Sequence, residues 1–438
     1  MRRKAVFFSF LLFFLLLSCG GGSSLDTDLS AIIKKHNLKP IEKPKTDPDT
    51  VALGRALFFD KIVSGNKDIS CATCHDPRFG TGDCLPLPVG TKGSGECLSR
   101  KRDAGRPFIP RNAPEVFNRG HKDWKTMFWD ARVELKNGQL RTPAGSQLPQ
   151  GLENVLQAQA IFPITSRDEM RGRKGDIASD GSVNDLALID DDQYAQIWQA
   201  VMNRVLSIPE YRDMFKKAFG DRNYTIVDFG KAIAEFETEA FTLTDSPWDR
   251  YLRGDKGALS YEAKRGALLF YGKAKCYTCH SGTLFTDQKF HNIGVPQFGP
   301  GKNANGLDLG RYNVSGKEED KFKFRTPPLR NVAVTSPYFH NGAYRDLKKV
   351  VLHHLNPEKY LRNYDPTANG LPPELASTLK NDESTINQIL STLDIEPVHL
   401  TEEEVDYLIA FLKSLTSPQV YTLHKVIPDR VPSGLPVK

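Results

Sequence analysis

The sequence predicts a mainly α-helical protein made of two similar halves joined by long loops. Three observations carry that prediction. Leu53-Gly54-Arg55-Ala56-Leu57-Phe58-Phe59 is echoed by Arg265-Gly266-Ala267-Leu268-Leu269-Phe270-Tyr271, and a Cys-x-x-Cys-His motif follows each phrase, giving a repeat of about 205 residues. Apolar residues recur at helical spacing over 226–241 and 405–412. Strand signals are sparse throughout.

The chain has 438 residues, of which 39% are apolar, 10% aromatic and 26% charged, a globular composition with room for two or three domains. This excludes a wholly disordered or fibrous chain. The charge sum, 59 basic against 53 acidic residues, is +6, and it drops to about +3 once Arg2, Arg3 and Lys4 are removed with the segment they precede. No nucleic-acid partner is required.

Residues 5–18 form one apolar run behind that basic start, shorter than the roughly 20 residues of a membrane-spanning helix, so residues 1–18 read as an export signal. The run ends in Leu16-Leu17-Ser18-Cys19 followed by Gly20, Gly21, Gly22, Ser23 and Ser24, which resembles a bacterial lipobox with a tether behind it. Cys19 would then carry lipid and begin the mature chain in the periplasm or cell envelope, with 19–44 as a lipid-anchored linker. The alternative is an ordinary signal peptide with Cys19 incidental.

Four of the six remaining cysteines fall in Cys71-Ala72-Thr73-Cys74-His75 and Cys276-Tyr277-Thr278-Cys279-His280. These are c-type haem attachment motifs. Two thiols one short turn apart can form thioethers with both haem vinyl groups, and the adjacent imidazole is then held as the proximal ligand. A redox Cys-x-x-Cys would not need a following histidine twice, and a zinc site more often combines two pairs. Two covalently bound haem c groups follow, in two class I cytochrome c-like domains. Cys84 and Cys97 flank a Gly/Pro-rich stretch, and a disulfide across it is the economical reading in an exported protein; two unpaired thiols are the alternative.

In each half an amphipathic helix leads into the attachment turn. Thr244-Asp245-Ser246-Pro247-Trp248 breaks the helical pattern, so an N-terminal haem domain is assigned to 45–243 and a C-terminal one to 244–417. Thr401-Glu402-Glu403-Glu404 is a capping box that opens the closing helix. Residues 418–438 read as an extended tail.

The two irons should differ. A relay haem is normally six-coordinate, whereas one that activates peroxide needs an open position. All five methionines precede the boundary at 244, so a His/Met centre at the second haem is not expected and a sixth ligand is sought among the histidines, for each of which a core role satisfied by a backbone carbonyl is the alternative. Leu347, Val350, Val351 and His354 share one helical face, which points His354 with the apolar side and His353 elsewhere. Between Asp76 and Gly120 there is neither histidine nor methionine; His121 and Met127 come next, near a Trp-rich segment that reads as structural, so the first iron is expected to be open.

The phrases LGRALFFD, CATCH, PRNAPEVFN, FWDAR, QAIFPITSRDEM, SPWDRYL, CYTCH and FRTPPLRNVAVTSPYFHNG together resemble the bacterial di-haem cytochrome c peroxidase and MauG family, over most of the chain after residue 45. The resemblance implies an N-terminal peroxidatic haem, a C-terminal electron-relay haem and a calcium ion between the domains. Asn112 and the backbones of Thr335 and Pro337 match the family's calcium ligands by position. Glu169 matches its distal acid/base, with Gln159 and Pro163 beside it. Moving a proton between the two oxygens of peroxide is work a desolvated carboxylate can do. Trp129 matches the tryptophan between the haems. Two departures stand out: His354 occupies a position held by methionine in the peroxidases and tyrosine in MauG, and Ala104 stands where many members carry a displaceable histidine.

The expected protein is therefore an exported, lipid-anchored peroxidase reducing hydrogen peroxide to water. Its electrons would come from a small cytochrome c or cupredoxin, and relatives suggest a homodimer. A MauG-like oxidant of a partner protein and a plain electron-transfer cytochrome are the alternatives. The extra residues 133–158 and 357–396 suggest no function.

Overall fold

The computed structural model describes residues 21–437; the signal segment and Cys19 lie outside the described residues. Six helices organise the chain: α1 (Gly21–Lys35), α2 (Pro48–Phe59), α3 (Ile226–Phe241), α4 (Tyr261–Phe270), α5 (Leu347–Leu355) and α6 (Glu402–Ser414). Local sequence explains their ends. Asp47 caps α2 by accepting from the Thr50 amide, Pro48 opens its first turn, and capping boxes at Thr225 and Thr401 start α3 and α6. Strands are confined to two-stranded ribbons and one three-stranded sheet among the described residues.

The repeated phrase has a packing reason. In the N-terminal half α2 crosses α3, and a Cβ on Gly54 would fall 1.8 Å from the Ala232 carbonyl oxygen and 2.8 Å from Phe236 Cβ. In the C-terminal half α4 crosses α6, and a Cβ on Gly266 would fall 1.8 Å from the Tyr407 carbonyl oxygen and 2.8 Å from Phe411 Cβ. Each half thus brings two helix backbones together over a glycine, with a phenylalanine at the same place in the partner helix. Phe58, Phe59, Phe236 and Phe241 form the aromatic heart of one core, and Trp248, Phe270, Phe285 and Phe411 that of the other.

Two segments depart from expectation. Residues 21–35, read as part of a linker, are helical, and α1 seats Leu29, fully buried, in the C-terminal core, with Asp26 paired to Lys264 at 2.8 Å. The cause is a stripe of Leu25, Leu29, Ile32 and Ile33 at helical spacing. The tail after Ser417 is not free: a 3₁₀ segment, Pro418–Val426, returns to the N-terminal half, where Val420, Leu423 and Val431 enter the core. Arg55 Nε donates to the Val426 carbonyl at 2.6 Å, and Ser433 Oγ to Asp60 at 2.6 Å. Each terminal segment packs on the half remote from it in sequence.

The two extra segments also have places. Residues Val133–Lys136 and Gln139–Arg141 make an antiparallel hairpin. Short helices at Pro357–Arg362, Pro373–Ala376 and Glu383–Leu390 build two small apolar clusters with residues 295–322. They brace the loop around residue 300: the Gly299 amide donates to Thr378 Oγ1 at 2.7 Å, and the Lys380 amide to the Gln297 carbonyl at 2.9 Å.

Candidate active site

The first attachment motif opens into a cleft lined by residues from both halves. Cys71, Cys74 and His75 form one wall; Gln159, Pro163 and Glu169 stand in the same lining, as do Trp129, Asn112 and, from the C-terminal half, Lys302 and Arg325. His75 is the cleft's single histidine, while Met127 and Met170 supply its two thioethers.

The two attachment turns prepare their histidines alike. His75 Nδ1 lies 3.3 Å from the Thr81 carbonyl and His280 Nδ1 lies 3.1 Å from the Phe285 carbonyl. With Nδ1–H donated to the backbone, Nε2 is left as a ligand. Burial pushes both imidazoles down to about 4, which keeps them in the neutral form that binds metal. Cys71, Cys74, Cys276 and Cys279 are outside any disulfide, whereas Cys84 and Cys97 are joined to each other.

Beyond this the halves diverge. His354 faces His280 with ring centroids 6.3 Å apart. An iron between two imidazoles, about 2 Å from each nitrogen, with ring radii of about 1.1 Å, needs roughly 6.2 Å. His354 Nδ1 donates to the Val350 carbonyl at 2.8 Å, so its Nε2 is again the available nitrogen. His353 is the satisfied core histidine: it is fully buried, Nε2 donates to the Ile293 carbonyl at 2.8 Å, and Nδ1 accepts from the Tyr344 hydroxyl at 3.1 Å. Of the other histidines in the C-terminal half and tail, His291 pairs with Asp287 at 3.0 Å, His340 stacks on Phe324 at 3.5 Å, and His399 and His424 are exposed.

Glu169 sits on a single π-turn, Arg167–Arg171, a rare element found frequently at functional sites. Burial raises its pKa, against the opposing pull of Arg132 and Lys302. Gln159 lies in the last turn of the helix Val155–Ala160, and Pro163 opens the next short turn.

Trp129 is held by hydrogen-bond partners from both halves. Its indole Nε1 donates to the Asn112 carbonyl at 2.9 Å. Arg325 donates to the Phe128 carbonyl from Nε at 3.0 Å and to the Trp129 carbonyl from its amide at 2.8 Å, while Arg311 Nη1 donates to the Asp130 and Ala131 carbonyls at 2.9 and 3.0 Å. Four successive carbonyls around the tryptophan are therefore fixed by two arginines of the C-terminal half. Beside them Arg111 makes a bidentate pair with Asp308 at 2.6 and 2.8 Å and a further contact with Asp130, all three buried.

Comparison with known proteins bears on this geometry directly. The family model described as di-haem cytochrome c peroxidase matches residues 48–257. The methylamine utilization protein MauG of Methylorubrum extorquens is 31% identical over 77% of this chain and 80% of its own length. This chain belongs to the di-haem cytochrome c peroxidase family. The cytochrome c551 peroxidase of Nitrosomonas europaea is likewise 31% identical, over 69% of this chain and 72% of its own. The crystal structure of a MauG-like protein associated with microbial copper homeostasis superposes with a TM-score of 0.58 at 24% identity, covering 88% of this chain and 95% of that one, which shows the shared fold. Membership places the chain among peroxidase oxidoreductases that carry two haems.

The cleft fits a haem of this family on its own chemistry. Arg119 Nη1 and Glu237 Oε2, both in the lining, are buried with no hydrogen-bond partner among the described residues, as befits a cavity shaped for a group with its own polar edges. For calcium, Asn112 donates from Nδ2 to the Leu85 and Pro86 carbonyls at 2.8 and 3.2 Å, so its Oδ1, with the backbone carbonyls of Thr335 and Pro337, would be the protein's contribution. Three such oxygens would leave the remainder of the six to eight positions calcium usually takes to water, and no carboxylate cluster gathers there among the described residues.

Sequence reasoning missed the cleft's cations and its inner acids. Lys302 and Arg325 reach it from the other half with no local motif to announce them. Glu237, on α3, is pushed up to about 8 by burial, and Glu115, paired to Arg119 at 2.7 Å, to about 7 by the same cause. An acidic residue on the apolar face of α3 was the one available signal.

Proposed function

We propose that the protein reduces hydrogen peroxide to water with electrons from a small cytochrome c or cupredoxin, the N-terminal centre being peroxidatic and the C-terminal one an electron relay. The observation that carries this reading is the asymmetry of the two halves. His280 faces a second imidazole at a separation suited to one shared metal, whereas His75 stands in an open cleft with a desolvated carboxylate. The haems, when bound, supply the electron-accepting iron centres and the place at which peroxide is reduced.

The chain's residues supply the rest. Overall, peroxide takes two electrons and two protons to give two waters. Glu169, ionised, accepts a proton from one peroxide oxygen and returns it to the other, which leaves as water; its raised pKa brings it nearer to the working pH, where such a shuttle is most effective. Gln159 orients the peroxide or the departing water by hydrogen bonding. Pro163 offers the metal no side-chain ligand. Trp129, gripped by Arg311 and Arg325, is the bridge through which electrons cross between the halves. His75, and His280 with His354, hold the two haem irons, and the four motif cysteines hold the porphyrins.

Export and anchoring through Cys19 complete the reading and place the enzyme in the periplasm or at the cell envelope. Glu169→Gln tests it: peroxide turnover drops by about 10²–10⁴-fold while both haems remain attached, and unchanged turnover removes Glu169 from the mechanism. The MauG-like alternative draws on one observation, that Ala104 is exposed and the cleft holds no second histidine. Rapid steady-state turnover with a reduced small cytochrome decides against it.

A further inference from the structure

Glu169 stands on one π-turn of five residues, and a shuttle carboxylate must be held to within a fraction of an ångström. The Gly65 amide and Asn184 Nδ2 hold the Met170 and Arg171 carbonyls, each at 2.8 Å, and the loop closed by the Cys84–Cys97 disulfide holds that of Glu169 itself. The Thr91 amide donates to the Glu169 carbonyl at 3.0 Å. Gly90 lies so close that a Cβ there would meet the Asp168 carbonyl oxygen at 1.9 Å and that of Glu169 at 2.8 Å. Thr91 is itself tied down, its hydroxyl donating to Asp68 at 2.9 Å and accepting from Asn66 Nδ2 at 2.7 Å.

The loop in turn is pinned by one side chain. Arg100, three residues past Cys97, donates from Nε to the Val89 carbonyl at 2.8 Å, from Nη2 to the Gly90 carbonyl at 2.9 Å and from Nη1 to the Gly95 carbonyl at 3.0 Å. The guanidinium fork thus ties the two arms of the loop together just where Gly90 meets the π-turn, a task for which lysine lacks the geometry. Pro88, on the same arm, lines the cleft.

We propose that the disulfide-closed loop 84–97, locked by Arg100, is a positioning device for Glu169: Arg100 and the Cys84–Cys97 bond set where the carboxylate stands through the Gly90–Thr91 backbone. The inference rests on the role of Glu169 proposed above. Arg100 and the disulfide act on the reaction solely through that residue.

The test uses the haem-loaded enzyme and four variants: Arg100→Gln, Arg100→Lys, the double variant Cys84→Ser/Cys97→Ser, and Arg100→Gln combined with Glu169→Gln. Hydrogen exchange followed by mass spectrometry reads the π-turn directly. Exchange over 166–172 is expected to quicken by about tenfold or more in Arg100→Gln and in the serine pair, with 53–59 and 266–270 unchanged. Peroxide kcat/KM falls by roughly 10–100-fold, as expected for a reacting group displaced by up to about 1 Å, while KM for the electron donor stays constant. Arg100→Lys lies between. Adding Arg100→Gln to Glu169→Gln produces no further loss, because the two act at one point. Unchanged exchange over 166–172, a uniform rise across the molecule, full turnover with a loosened turn, or additive losses would each overturn the proposal. Full turnover in Glu169→Gln alone instead sinks the proposed role of Glu169, while the exchange result still reports on the lock.

Discussion

Two adjacent histidines on α5 offer a sharp test, because the proposed assignment gives them opposite tasks. His353 is fully buried and has both ring nitrogens engaged, with Ile293 and Tyr344. Truncation in His353→Ala leaves the Ile293 carbonyl without its donor and opens a cavity, at a cost of about 3–5 kcal/mol. For a unit the size of the C-terminal half that is a drop in Tm of roughly 6–20 °C. His354 is half-buried, and its one hydrogen bond goes to the Val350 carbonyl. Its truncation costs about 1 kcal/mol but removes the imidazole that faces His280 at 6.3 Å. Electron paramagnetic resonance of the ferric protein and thermal melts separate the two effects. His354→Ala converts the low-spin C-terminal centre to high spin with little change in Tm, and His353→Ala keeps the low-spin signal but melts early. The reasoning from hydrogen-bonded nitrogens fails if His353→Ala abolishes the low-spin signal and His354→Ala retains it.

Other expectations follow from the same geometry. Gly54→Ala and Gly266→Ala should each destabilise by about 3 kcal/mol or more, since the added methyl meets a helix carbonyl at 1.8 Å; urea melts show it, with Gly257→Ala as a near-neutral control. Trp129→Phe keeps the ring packing but leaves the Asn112 carbonyl without its donor at a cost of about 1–3 kcal/mol, and stopped-flow mixing should show slower electron delivery between the halves with haem content unchanged. Burial raises Glu237 to about 8 from a reference of 4.5, so over that interval the native state holds a proton that the unfolded chain has released. Stability therefore falls as pH rises from about 4.5 to 8, by at most about 1.4 kcal/mol per pH unit. Glu237→Gln flattens that decline in denaturation curves taken at pH 5 and pH 8; an unchanged slope would mean the carboxylate is ionised in the folded state.

What could be read from the sequence and what could not divide along a physical line. The attachment turns, α3, α6 and the facing of His354 are legible because each is written in neighbouring residues: a Cys-x-x-Cys-His spacing, a capping box, an apolar stripe at three and four residues. The same stripe turned His353 elsewhere but said nothing of what it meets there. Periodicity sorts the faces of a helix without naming what covers them, and α5 is covered on that side too, by Ile293 and Tyr344. Residues 21–35 show the converse error. A Gly/Ser run behind an export signal suggested a tether, yet Leu25, Leu29, Ile32 and Ile33 carried an equally local helical stripe that places α1 against α4.

The cleft itself is built from contacts that no window of sequence contains. Arg325 lies about 200 residues from the Phe128 carbonyl it holds, Asp308 a similar distance from Arg111, and Thr91 nearly 80 residues from Glu169. Each is a polar side chain or amide whose local surroundings read as ordinary loop, and its meaning comes from the buried carbonyl or carboxylate that it satisfies. This is where the two halves cease to be copies. The repeated helices supply the same glycine crossing and the same proximal histidine twice over, and repetition alone would give two equivalent centres. Segments outside the repeat break the equivalence: α5 sets a second imidazole opposite His280, and a disulfide-closed loop lies against the turn that carries Glu169. The chemistry that separates a peroxidase from a pair of electron carriers thus resides in those segments, and variants there, more than in the repeated core, are where activity and haem attachment should come apart.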